Sequence, residues 1–116
     1  MDWLEPVDAY CERTGPDYWS EPINALTNLA FILAALVMAR RLRGPGMTTG
    51  RVLAANLFVI GVGSWLFHTH ANRLTGLMDV LPILTFILIY IFAATRDYFG
   101  TSRLVAAAVT AGFLPY

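Results

Sequence analysis

Between Leu77 and Thr95 the chain runs nineteen residues with a single charged side chain, Asp79. A helix rising about 1.5 Å per residue needs roughly 20 such residues to cross the ~30 Å hydrocarbon core of a bilayer, so this stretch is built to span a membrane. Asp79 is the exception within it. An ionisable group at membrane depth is costly and by default marks a function. Two earlier stretches share the pattern. One runs from Pro22, suited to a first helical turn, to Met38. The other runs from Val52 to about His70. A fourth apolar stretch starts at Leu104 and reaches the end at Tyr116, too short to cross. The pattern predicts one all-α integral-membrane bundle: three complete transmembrane helices and a truncated fourth, with spans at about 22–39, 52–70, 77–95 and 104–116.

Composition agrees. Of the 116 residues 57% are apolar and 14% charged, against about 45–50% and roughly 25% in soluble proteins. The formal net charge of zero hides a split. Residues 1–24 carry six acids against Arg13 alone, whereas the rest carries seven arginines against Asp79 and Asp97. No basic face of the kind that binds nucleic acid stands out. With Arg73 alone between spans two and three, the other six of these arginines lie instead between spans one and two (Arg40, Arg41, Arg43, Arg51) and after span three (Arg96, Arg103). The positive-inside rule then places those loops in the cytoplasm and the acidic segment 1–21 outside. Trp3, Tyr10, Tyr18 and Trp19 in that segment suit the membrane interface. Cys11 is the only cysteine, so no intrachain disulfide forms.

This topology brings the unusual polar groups into one leaflet. Glu21, Asn24 and Asn28 form a stripe at the outer end of span one. Ser64 and His68, in Gly61-Val62-Gly63-Ser64-Trp65-Leu66-Phe67-His68, share a helix face at the outer end of span two, and Asp79 opens span three. Gly61 and Gly63 remove bulk beside them and permit close helix approach. His68 is either a zinc ligand or a hydrogen-bonded interface histidine. Asp79 is either a general base or a helix cap, and Ser64 either a donor to a developing oxyanion or a side chain bonded back to its own helix. His70 falls on another side of the helix and reads as a surface residue. Asp8, Glu12, Asp17 and Glu21 offer hard oxygen ligands suited to calcium, or form a solvated acidic segment.

In order along the chain, Cys11-Glu12, Glu21-Pro22-x-Asn24-Ala25-x-Thr27-Asn28, Ser64-x3-His68 and Asp79 with Leu81-Pro82 resemble the alkaline ceramidase family. That family sits in a superfamily of seven-span membrane hydrolases that also holds the adiponectin-receptor-like proteins. The resemblance implies hydrolysis of the linear amide of ceramide, a membrane lipid, by a zinc-activated water. It implies His68 as a zinc ligand, Asp79 as the group handling the water proton, and Ser64 as a steadying donor. It further implies calcium held by Asp8, Glu12 and Glu21. The chain departs from the family pattern in three places. Asp8 stands one residue further from Cys11-Glu12, Thr14 replaces an Asn, and the His-x3-His pair that completes the zinc site is absent. The chain therefore reads as an N-terminal half, inactive by itself. Two other readings stay open: a related lipid hydrolase or receptor-like protein, and a small non-enzymatic membrane protein that oligomerises through its Gly-rich second span.

Overall fold

A computed structural model describes residues 2–115. The described residues form helices α1 (Pro22–Thr27), α2 (Leu29–Arg41), α3 (Thr48–His70), α4 (Arg73–Ala93) and α5 (Arg103–Phe113), with a π-helical turn at Ala94–Tyr98 running on from α4. Three stretches are long and apolar enough to cross a membrane: Pro22–Arg41, Thr48–His70 and Arg73–Tyr98. Helix α5 is apolar but shorter. The all-α membrane bundle of three spans with a short fourth helix stands.

The first span is interrupted at Asn28. Its Nδ2 donates to the Asn24 carbonyl at 2.7 Å, the acceptor its own backbone N–H would use in a regular helix. That N–H bonds Ala25 O instead, at 3.2 Å, and the helix tightens for one turn before α2 continues.

Helix α3 is the central element, with 39% of its apolar window buried against 6% for α4. Small residues let its neighbours close in. A Cβ on Gly61 would stand 2.6 Å from Ile32 Cγ1 of α2, and a Cβ on Gly63 would stand 1.9 Å from Met78 O of α4. That carbonyl is special. Pro82, inside α4, has no N–H to donate to Met78 O four residues back. The Cα hydrogen that Gly63 carries in place of a Cβ points at this orphaned acceptor. Two turns away, Asn56 Nδ2 of α3 donates to Pro82 O at 2.7 Å. The proline defect in α4 is thus gripped by α3 on both sides.

The connection from α3 to α4 is shorter than the sequence predicts. Ala71 adopts φ 46° and ψ 59° and closes α3, and Asn72 caps α4 in a reciprocal box with Thr75. Span three therefore starts at Arg73 rather than Leu77, and Asp79 lies inside the helix. Its reading as a cap is corrected, because Asn72 takes that role. The outward faces stay apolar, with Leu33, Val80, Leu81 and Tyr90 all more than half exposed. On a span with so little buried surface, these are the side chains that lipid covers.

Candidate functional site

The N-terminal segment folds back over one end of the bundle and supplies the hydrogen-bond acceptors that the helix starts there lack. Trp3 O and Glu5 O accept from the first two N–H groups of α4, Leu74 at 2.9 Å and Arg73 at 3.1 Å, while Val7 N–H donates to Ala71 O at 2.8 Å. Glu12 does the same for α1. Its Oε1 accepts from Ile23 N–H at 2.6 Å and its Oε2 from Asn24 N–H at 3.0 Å. A carboxylate at a helix N-terminus satisfies free donors and meets the positive end of the helix dipole. Tyr18 and Trp19 anchor the segment further: Trp65 Nε1 donates to Tyr18 Oη at 3.0 Å, and the Trp19 ring stands edge-on to Trp65. His70, exposed as expected, lies edge-on to Tyr18.

Beneath this cap sits a buried chain of charge. Arg13, Glu21 and His68 are 8%, 2% and 7% exposed. Arg13 Nε donates to Glu21 Oε2, and Glu21 Oε1 lies 2.9 Å from His68 Nδ1. Burial alone would push the Glu21 carboxyl up. The hydrogen bonds from His68 and Arg13, with the Arg13 charge, outweigh it and hold the group below its usual 4.5. An ionised carboxylate only accepts, so the hydrogen between Glu21 Oε1 and His68 Nδ1 is carried by the imidazole. The edge of Tyr10 closes over the imidazole at 4.7 Å between ring centres.

Ser64, one turn earlier on the same face of α3, is 6% exposed, as is Asp79. Gly63 abuts the Met78–Asp79 peptide, which puts Ser64 and Asp79 at the same depth. Ser64, His68 and Asp79 are therefore all buried on α3 and α4. No direct bond from His68 to the other two is formed, since its side chain turns to Glu21. Asp79 Oδ1 is buried and has no hydrogen-bond partner among the described residues.

Zinc chemistry fits these groups in part: one free imidazole nitrogen and one orphaned carboxylate oxygen. The calcium set does not fit. Asp8 is exposed in a cleft of about 350 Å³ that it shares with Arg13, Gly15 and His70. Glu12 has spent both oxygens on backbone amides, and Glu21 is held by Arg13 and His68. Among the described residues no three Asp, Glu, His or Cys side chains gather as a metal-binding group. Arg13 brings a positive charge into this cluster, and sequence reasoning passed over it. The available signal was its position as the lone base among six acids. Asn56 was passed over too, although it is a polar residue in an apolar span, seven residues from Gly63 and so on the same helix face.

No curated protein and no solved structure matches the chain. A family model described as Ceramidase matches residues 8–114, nearly the whole sequence, and the chain belongs to the ceramidase family, hydrolases that act on amides.

Proposed function

We propose that Ser64, His68 and Asp79 form the non-cytoplasmic part of a site that cleaves the linear amide bond of ceramide, or of a related lipid amide, using a water activated by zinc. The observation that carries this reading is the Asp79 carboxylate, buried in an apolar helix with Oδ1 unmatched. A buried polar atom left without a partner costs about 1–3 kcal/mol, and more when charged. Such a group is retained where a ligand, water or metal completes it.

Zinc, when bound, would polarise the carbonyl and bring the pKa of a water toward about 7. The residues supply the rest. Glu21 accepts from His68 Nδ1, which leaves Nε2 as the imidazole nitrogen for a metal. Asp79 accepts the proton of the attacking water and passes it to the leaving amine. Ser64 donates to the amide oxygen as negative charge builds there. The acyl chain lies in an apolar groove of about 490 Å³ bounded by Trp3, Phe67, Gly76, Leu77 and Val80, with Arg73 at its rim. Val80, 57% exposed, opens this groove toward lipid. The N-terminus lies outside the cytoplasm, by the arginine distribution.

One imidazole holds zinc weakly, so the 116-residue chain by itself is not expected to turn over ceramide. The non-enzymatic oligomer is disfavoured by the packing: Gly61 and Gly63 are already used against α2 and α4 of the same chain. Cobalt titration, a spectroscopic stand-in for zinc, tests the reading. The purified chain should bind weakly through His68 and lose binding in His68→Ala, without releasing fatty acid from ceramide. Unchanged binding in His68→Ala, or turnover by the isolated chain, would overturn it.

A further inference from the structure

The Arg13 guanidinium is enclosed by oxygens. Nε donates to Glu21 Oε2, Nη1 to Gly15 O at 2.9 Å and Asp17 O at 3.3 Å, and Nη2 to His68 O at 3.0 Å. The acceptors come from three places: the loop that carries Arg13, the start of α1, and the last turn of α3. One carboxylate and three backbone carbonyls are the donor types with which a hard divalent cation is usually held. Here the planar fork of a guanidinium fills the space between them, and four of its five N–H positions' worth of donors find oxygen.

We propose that Arg13 is the built-in cation of this clasp: it joins the N-terminal segment to α1 and α3 without a divalent ion and positions His68 through Glu21. Two features make the arrangement a clasp rather than a surface pair. The Arg13 and Glu21 side chains are 5% and 2% exposed, so the pair is sheltered from water and salt. Nη2 also reaches the backbone of the very residue whose ring Glu21 holds, so Arg13 fixes His68 at its carbonyl directly and at its imidazole through the carboxylate. Lysine could not reproduce this, because an ammonium offers a point charge where three separate directions are required. The positioning half of the proposal rests on the role given to His68 above; the clasp half does not.

The test uses the whole chain in detergent micelles or nanodiscs and needs no activity assay. Thermal unfolding of the wild type in EGTA and in added Ca²⁺ should give the same Tm. Arg13→Gln should lower Tm by several degrees, since removing one partner strands a buried charge, with Arg13→Lys between the two. Nitrogen-15 NMR of the histidines reports positioning independently. In the wild type His68 shows a fixed Nδ1–H tautomer, and in Arg13→Gln the two tautomers average. A wild-type Tm that falls on chelation and returns with Ca²⁺ would overturn the clasp. A His68 tautomer that stays fixed in Arg13→Gln would overturn the positioning role. Should His68→Ala retain full metal binding, the reading of the site fails while the chelation result still stands on its own.

Discussion

Placing a methyl on Gly63 tests the contact that sets the depth of Asp79. The added Cβ would lie 1.9 Å from Met78 O and 2.7 Å from the carbonyl carbon. Close carbon–oxygen contacts in proteins sit at about 3.3–3.6 Å, so α3 and α4 must part by roughly 1.5 Å. The obstacle is backbone, which has no rotamer to change. Overpacking costs about 1–3 kcal/mol, and a rigid obstacle puts Gly63→Ala at the upper end, near 3 kcal/mol. The Met78 carbonyl, already without an intrahelical partner, also loses its Gly63 contact. Two substitutions calibrate the result. At Gly61 the nearest atom is Ile32 Cγ1 at 2.6 Å and the nearest backbone atom is Ile32 N at 3.2 Å, a looser fit than at Gly63, so Gly61→Ala should cost less. At Gly112, in α5, nothing lies within 4 Å, and alanine should stabilise by about 0.5–1 kcal/mol through helix propensity. Thermal melts followed by circular dichroism in one detergent should therefore rank Gly63→Ala, Gly61→Ala, wild type and Gly112→Ala in rising Tm. A Gly63→Ala protein as stable as the wild type would refute the proposed seating of α3 on the proline defect.

Other consequences are smaller in scale. Glu12→Ala removes an acceptor from two backbone donors and should destabilise α1 by about 1–2 kcal/mol, visible as faster hydrogen exchange at Ile23 and Asn24. Asn56→Leu removes the interhelical hydrogen bond to the Pro82 carbonyl and should cost about 1 kcal/mol in the same melts. Because the Glu21 carboxyl is held below its usual 4.5, its contribution to stability is complete above that value and is lost as pH falls through the lowered one. The melting temperature should hold near neutrality and decline on acidification below about 4.5, and Glu21→Gln should flatten that decline.

The membrane fold was legible because twenty-residue apolar runs have few other uses. The polar exceptions within them, Ser64, His68 and Asp79, were legible because burial in lipid makes them conspicuous. Helix ends were less so. The capping box of Asn72 and Thr75 starts α4 at Arg73, four residues upstream of the apolar run from Leu77, so local hydrogen bonding rather than hydropathy decides where α4 starts. Glu12 and Arg13 show the deeper limit. Their neighbours in sequence are acidic and polar, which reads as a solvated segment. Only the chain's return over the bundle turns one into a helix cap and the other into a buried cation, and those pairings span 8 to 55 residues. The short-range pattern holds no trace of contacts so distant.

The most direct measurement is fatty-acid release from ceramide by the longest reading frame containing this sequence, comparing wild type with Asp79→Asn. The substitution keeps size and polarity but removes the proton acceptor, and general-base catalysis is worth about 10²–10⁴-fold. A loss in that range with an unchanged or raised Tm is the predicted result. Turnover within a few-fold of the wild type would contradict the assignment of Asp79, and with it the site.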